Sequence, residues 1–408
     1  MASSNSKPRL AASGAGSGDL LPGAMYEILL RLPARELCRL RAVCRSWRAL
    51  TSSQLFIAAH KSRHTDPLLA IGYVDVRGNR ASNSFGVVDL SGEALGRIPR
   101  VGGGIVPVRK NGAVVRVPAG EDGIHVLRTR LDLICFARSC RPLGLWILNP
   151  VTGATHALPE CRSEELAREL KGERCSEVEL RTVGQVPSTG EYKALRITRL
   201  GDDEPARQLC EVVTFDGISH GMWRGKQGPP SVVGKSCVVI RGVVYFQMKF
   251  YYLDFDLVSI AEPGSIAPFN LETEEWMGIL RGPAPVLKYV QDHKELSYPG
   301  HSLQLSIAEL NGCLVTVHNI HDICMDLWFL ADIEEGIWVK KYSLPSQVAR
   351  IFVCPFLALH DGRIFFTSGN YGKRIIESYN TRTGAHADVL EVLDCSSIGT
   401  YAGSLLSL

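Results

Sequence analysis

No apolar run in this chain approaches the roughly 18 residues that a membrane-spanning helix needs, so the sequence predicts no helical membrane span. Charge is also scarce in the sum. Lysine and arginine number 45 against 42 aspartates and glutamates, a net of +3. That small excess excludes neither nucleic acid nor an acidic protein as a partner. Charged residues make up only 21% of the chain and hydrophobic ones 45%, which excludes global disorder. Clustered cysteines are missing as well. The 12 cysteines are scattered singly, several inside apolar runs such as Ile134-Cys135-Phe136 and Cys237-Val238-Val239-Ile240. Free cysteine behaves there as a small buried hydrophobe, and a chain of 408 residues needs no disulfide staples. The pattern reads as a reduced compartment, cytoplasm or nucleus. Residues 1–18 are rich in Ser, Ala and Gly and lack the continuous apolar core of a secretory signal. They are short for a transit peptide and read as a disordered tail.

The near-zero net charge conceals a split. Residues 1–64 carry ten Lys/Arg and three Asp/Glu, a net of +7, and the remaining 344 residues carry a net of −4. Two parts with different partners are expected, residues 19–64 and 65–408. In the first, Leu20-Leu21-Pro22 is a helix start, with proline suited to the first turn. Met25, Ile28, Leu29 and Leu32 follow at helical spacing, and Pro33 ends the stripe. A second periodic run holds Leu37, Leu40, Val43, Cys44, Trp47 and Leu50, with Arg35, Arg39, Arg41, Arg45 and Arg48 opposite. After Thr51-Ser52-Ser53 come Leu55, Phe56 and Ile57. The expectation is a bundle of about three short helices, too small to be more than marginal alone.

Leu21-Pro22, Ile28-Leu29-Leu30-Arg31-Leu32-Pro33, Leu37, Arg39, Val43-Cys44, Trp47 and Leu50 stand in fixed order without gaps. This order resembles an F-box over residues 19–57. In that family the helices dock on a Skp-family adaptor, which hangs from a cullin scaffold. The resemblance therefore implies an adaptor-binding set of Leu20, Leu21, Pro22, Ile28, Leu29, Leu32, Pro33, Leu37, Leu40, Val43, Cys44 and Trp47. Each leucine serves equally well as core packing, and Val43 and Trp47 also fit the bundle core. The arginines read either as a solvated face or as a field that steers encounter with an acidic adaptor.

From Leu68 onward the helical period fades and short β-rich runs appear between turn signals. Apolar residues, a polar-Gly turn and apolar residues recur around Arg241-Gly242, Asn311-Gly312 and Asp361-Gly362. Each reads as a tight hairpin whose glycine takes a positive φ. A second recurring turn starts at Asn149, Asn270, Asp332 and Asn380, the last three 62 and 48 residues apart. Units of four strands at such spacing predict an all-β propeller-like body of roughly six to eight blades. The stretches Leu145–Gly153, Ile266–Glu274, Ile307–Leu314 and Leu327–Asp332 resemble, in order, the F-box-associated domain of large land-plant families. Asp132 stands where that family usually has glycine, and the double glycine of kelch repeats is absent.

Enzyme motifs are weak. Gly217-Ile218-Ser219-His220-Gly221 fits a nucleophile elbow, which needs a helix after it, and Met222-Trp223-Arg224-Gly225 cannot open one. Cys313, His318, His321 and Cys324 lack a recognised zinc spacing. Asp254 and Asp256 are a lone acidic pair, and Gly102-Gly103-Gly104 lacks the setting of a phosphate cradle. No catalytic residue, cofactor or metal is expected, and neither nucleic acid nor membrane as partner. The resemblance implies a non-catalytic substrate-recognition subunit of a Skp–cullin–F-box ubiquitin ligase, whose body holds an unidentified target protein. Two alternatives stand beside it: an F-box scaffold acting outside the ligase, and a propeller hydrolase with an unrelated helical leader.

Overall fold

The computed structural model describes residues 22–32, 34–64, 67–75, 82–88, 90, 114–116, 124–138, 144–149, 155–169, 175–200, 207–216, 221–229, 233–249, 261–292, 303–320, 323–345, 348, 353–370, 373–393 and 395–402. The chain divides into two compact units, Met1–Thr65 and Asp66–Leu408. The expected tail, 1–18, lies outside the described residues.

Among the described residues the first unit holds four helices: α1 (Pro22–Arg31), α2 (Ala34–Leu40), α3 (Arg45–Thr51) and α4 (Gln54–Arg63). About three were expected. The fourth arises because Ser53 starts a new helix, its hydroxyl accepting the N–H of Phe56 at 3.3 Å. Phe56 is fully buried on α4, and Leu29, Leu30, Leu37 and Ile57 are buried as well. Tyr26 meets its ring edge-on at 5.3 Å. His60 of α4 and His64, its C-cap, close the end of α1. His60 Nε2 lies 2.9 Å from the Leu32 carbonyl and His64 Nε2 lies 2.9 Å from that of Leu30. Their rings stack at 4.0 Å. Burial lowers the pKa of His60, against the Leu32 carbonyl, which raises it.

The second unit is a propeller of six four-stranded antiparallel sheets. Blade 1 contains β1 (Leu68–Asp75), β2 (Ser82–Val88) and β3 (Val114–Arg116); blade 2, β4 (Ile124–Val126), β5 (Ile134–Arg138), β6 (Leu145–Leu148) and β7 (Thr155–Ala157). Helix α5 (Glu164–Glu169) leads into blade 3: β8 (Cys175–Gln185), β9 (Tyr192–Leu200), β10 (Arg207–Phe215) and β11 (Arg224–Lys226). Blade 4 has β12 (Val233–Ile240), β13 (Val243–Met248), β14 (Ile266–Asn270) and β15 (Glu275–Trp276), with α6 (Ala284–Asp292) after it. Blade 5 has β16 (Leu303–Leu310), β17 (Cys313–Ile320), β18 (Cys324–Asp332) and β19 (Ile337–Pro345). Blade 6 has β20 (Cys354–Ala358), β21 (Arg363–Asn370), β22 (Lys373–Asn380) and β23 (His386–Leu393). The last strand, β24 (Cys395–Tyr401), returns to pair with β1 and completes blade 1. The ring is therefore closed by strands from the two ends of the unit.

Six is the low end of the expected range, and the connectors explain it. The first strands of blades 2 to 6 begin 51, 58, 70 and 51 residues apart, because helices such as α5 and α6 lengthen the links. The recurring turns fall where the sequence places them, except that residues 150–154 of the turn starting at Asn149 lie outside the described residues. Arg241-Gly242 and Asn311-Gly312 both have positive φ at the two turn residues, and Gly362 has φ 94°. Asn270, Asp332 and Asn380 each accept two backbone N–H groups on one side-chain oxygen, from residues two and three further on. Both turn types join strand one to two or three to four, so they gather on one face of the propeller.

Each blade packs both faces against its neighbours, which is why β10 and β17 are buried along nearly their whole length. One core cluster joins blades 2 and 3 through Leu133, Ile147, Val183 and Phe215. Others join blades 3 and 4, 4 and 5, 5 and 6, and 6 and 1. At the remaining junction, Gly399 lies so near blade 2 that a Cβ there would sit 2.7 Å from the Leu127 carbonyl oxygen.

Candidate functional site

The helical unit sorts the expected adaptor-binding residues by exposure. Leu29 and Leu37 are buried, at 1% and 0% exposure, so they hold the unit together. Ile28 and Val43 are exposed, at 44% and 64%, and so is Cys44. Leu32, Leu40 and Trp47 are half-buried. Leu20, Leu21 and Pro33 lie outside the described residues, and Pro22 is the first residue of α1. Leu55, which the motif leaves out, is the most exposed large apolar side chain of the unit at 83%. Cys44 caps α3, its sulfur accepting the Trp47 N–H at 3.5 Å. Hydrogen bonds to Ser46 and Trp47 lower its pKa.

The arginines have local work too. Arg41 Nη2 donates to the Thr51 carbonyl at 2.8 Å and Arg48 Nε to the Arg41 carbonyl at 3.1 Å, tying α3 to the turn before it. Arg39 pairs with Glu36 at 2.7 Å on the surface, an exposed pair of small energetic weight. Arg31 and Arg45 are exposed.

In the propeller, charged side chains mark the blade junctions. Glu274 of the β14–β15 turn receives Lys193 at 2.8 Å and Lys226 at 2.7 Å, and also Arg224. Although burial raises its pKa, these three cations of blade 3 bring it down to about 2. Glu211 is fully buried and pairs with Arg196 at 2.5 Å. Its other oxygen accepts the Ser163 N–H at 2.7 Å, and Arg196 stacks over Trp223. That cluster fixes the link carrying α5. Asp132, the residue in the family's glycine position, accepts the Tyr192 hydroxyl of blade 3 at 2.6 Å.

The innermost strands, β4, β8, β12, β16 and β20 with β24 in blade 1, ring the axis. Around it lies a cavity of ≈ 370 Å³, bounded by β12, β16, β20, β24 and the loop after β4. Two arginines of that loop, Arg128 and Arg130, enter it. Sequence reasoning passed over both, because neither sits in a motif.

The enzyme and metal motifs do not assemble. Residues 217–220 of the elbow motif lie outside the described residues, and the next element in the chain is strand β11 rather than a helix. Cys313 opens β17, and Cys324 pairs with Ile320 at its far end, so about 23 Å of strand rise separates them. No single ion reaches both. His321, Asp254, Asp256 and residues 102–104 lie outside the described residues. Among the described residues no group of three or more His, Cys, Asp or Glu side chains could hold a metal, and no helix is long and apolar enough to cross a membrane.

Comparison with known proteins agrees with this architecture. Residues 20–58 match the F-box domain and residues 114–384 match the F-box associated beta propeller domain. An F-box protein of Arabidopsis thaliana is 22% identical, covering 92% of this chain and 88% of its own. An F-box/kelch-repeat protein of the same plant is 24% identical, covering 88% of this chain and 87% of its own. Among solved structures, TolB from Acinetobacter baumannii aligns with a TM-score of 0.44 at 9% identity, over 85% of this chain and 70% of its own. With the propeller domain matched over more than half of the chain and an F-box ahead of it, the chain belongs to the F-box proteins with an associated β-propeller domain.

Proposed function

We propose that this chain is the substrate-recognition subunit of a Skp–cullin–F-box ubiquitin ligase, working in the cytoplasm or nucleus. The observation that carries the reading is the joining of an F-box to a closed propeller in one chain. The F-box clips onto a Skp-family adaptor and through it a cullin. The propeller holds a target protein, so that target lysines meet a charged ubiquitin-conjugating enzyme at raised effective concentration. The chain itself makes and breaks no bond. The turn-bearing face of the blades supports target binding, because loops vary while strands keep the scaffold.

Exposure narrows the adaptor contact. Ile28 and Val43 present apolar surface to solvent, and Leu20, Leu21 and Pro22 precede or open the same helix. Together they form the contact; Leu29 and Leu37 support it from inside. The six arginines Arg31, Arg35, Arg39, Arg41, Arg45 and Arg48 favour an acidic partner. The test is co-purification of the full chain with a Skp-family adaptor at modest salt. Ile28→Asp with Val43→Asp removes binding and leaves the circular dichroism of the chain unchanged. Leu21→Ala with Pro22→Ala does the same. Full retention by both double variants removes the interface assignment, and failure of the unaltered chain to bind removes the ligase reading.

A further inference from the structure

The cavity on the propeller axis has a charge arrangement that ring closure alone does not require. Arg130 Nε meets Glu309 Oε2 of blade 5 at 2.5 Å, with the two side chains 36% and 12% exposed. This pair crosses the axis from blade 2 and is neutral as a unit. Arg128 has no such counterion among the described residues. Its Nη1 donates to the Cys354 sulfur at 3.1 Å and its Nη2 to the Thr367 hydroxyl at 3.2 Å. Both acceptors are uncharged. A guanidinium has five N–H donors, so three of those on Arg128 remain for something else. Among the described lining residues the charges therefore sum to one uncompensated positive charge, beside apolar walls from Val239, Ile307, Phe356 and Ile398.

The loop that carries the arginines is held on several sides. Leu127 N–H bonds the Cys135 carbonyl at 2.8 Å, and Thr129 N–H bonds the Leu127 carbonyl at 2.9 Å. From β24, the Thr400 hydroxyl reaches the Thr129 carbonyl at 3.3 Å. The Ala402 N–H reaches the Leu131 carbonyl at 2.8 Å. A guanidinium on so fixed a backbone is ordered before a ligand arrives, which lowers the cost of binding.

We propose that this axial cavity binds an organic carboxylate with an apolar body, its carboxylate on the Arg128 fork and its body between the β12, β16, β20 and β24 walls. The planar fork of arginine matches a carboxylate by two parallel hydrogen bonds. One uncompensated cation matches a monoanion; a phosphate dianion leaves surplus negative charge against apolar walls. The volume lies at the lower end of small-molecule sites, roughly 300–1,000 Å³. Such a carboxylate belongs to a free small acid or to the C-terminal residue of a peptide. The site stands on the propeller alone and does not rest on the ligase reading.

The test is saturation-transfer NMR and calorimetry on the full chain. The probes are 3-phenylpropionate, cyclohexanecarboxylate and hexanoate, each against its primary amide, and a Gly-Gly-Phe peptide with a free or amidated C-terminus. The expected result is that at least one acid binds and its amide binds at least about tenfold more weakly, as loss of a charge-assisted pair requires. Arg128→Gln weakens the acid by a similar factor at unchanged melting temperature. If that variant fails to fold, Arg128→Lys, which keeps the charge and loses the fork, serves instead and weakens binding. Binding of the free peptide alone assigns the site to a chain terminus, and binding of the small acids assigns it to a free acid. Equal affinity for acids and amides, no binding by any probe, or wild-type affinity in a folded Arg128 variant overturns the proposal.

Discussion

Among the described histidines, His318 is the one whose ionisation the fold most opposes. It is 3% exposed on β17, opposite Asp326 on β18, and its Nε2 has no hydrogen-bond partner among the described residues. Tyr289 of α6 meets its ring edge-on at 5.0 Å. Asp326 is already engaged by Lys340 at 3.2 Å and Ser343 at 2.6 Å. Burial pushes the His318 pKa down to about 4 from an ordinary 6.5; Asp326 opposes this and Lys340 adds to it. A group with a depressed basic pKa binds its proton in the unfolded chain first. Stability is therefore lost as pH falls from about 6.5 to about 4, by about 3 kcal/mol for this group. His60 and His125 are lowered in the same direction, so the observable is a difference. Urea unfolding of His318→Gln against the parent, from pH 7 to pH 4, gives curves that converge as pH falls. Parallel curves contradict the assignment. Glu274 does not interfere above pH 4.5, because its low pKa places its own loss of stability between about 4.5 and about 2.

Strands and turns show how far an element is legible before its neighbours are known. Arg241-Gly242 and Asn311-Gly312 are readable because a tight hairpin needs positive φ, and few residues tolerate it. The turns at Asn270, Asp332 and Asn380 are readable because one side-chain oxygen must accept two N–H groups. The contacts made beyond those turns are hidden in sequence. Six residues after Asn270 and Asp332 stand Trp276 and Trp338. The Trp276 indole donates to the Gln227 carbonyl at 2.9 Å and that of Trp338 to the Arg281 carbonyl at 2.8 Å. Trp223 of blade 3 does the same to the Pro159 carbonyl at 2.6 Å. Each reaches back to the chain leaving the previous blade, so these rings are inter-blade clamps. Trp338→Phe keeps most of the apolar contact and removes the donor. It costs about 1 kcal/mol in chemical denaturation, with the slope against denaturant unchanged because the blades stay paired. A loss within error assigns the clamp to packing alone. Arg128 and Arg130 were illegible for a related reason: their partners lie 226 and 179 residues away, and only the closed ring brings them together.

Closure makes the propeller one cooperative object. An open row of blades would expose apolar faces at both ends, and β24 removes those ends by pairing with β1 from Leu68 to Tyr73. Cys395, Ile398 and Tyr401 of this strand are buried, and its neighbour Ala402 bonds the loop of blade 2. Burial of these side chains with the ladder bonds amounts to roughly 5–10 kcal/mol. That is comparable with the whole stability of a domain, about 5–15 kcal/mol. A chain ending at Leu393 should thus lose the cooperative transition of the propeller rather than shift its midpoint. Removing the residues before Asp66, which form a separate unit, should leave that transition in place. The two truncations are compared by calorimetry and by binding of a hydrophobic dye. A peptide of residues 394–402 supplied in trans then restores the transition of the shorter chain, since β24 needs only the edge of β1 and the blade 2 loop to dock. A shortened chain that melts as sharply as the parent, with no gain from the peptide, shows that the five remaining junctions hold the ring by themselves.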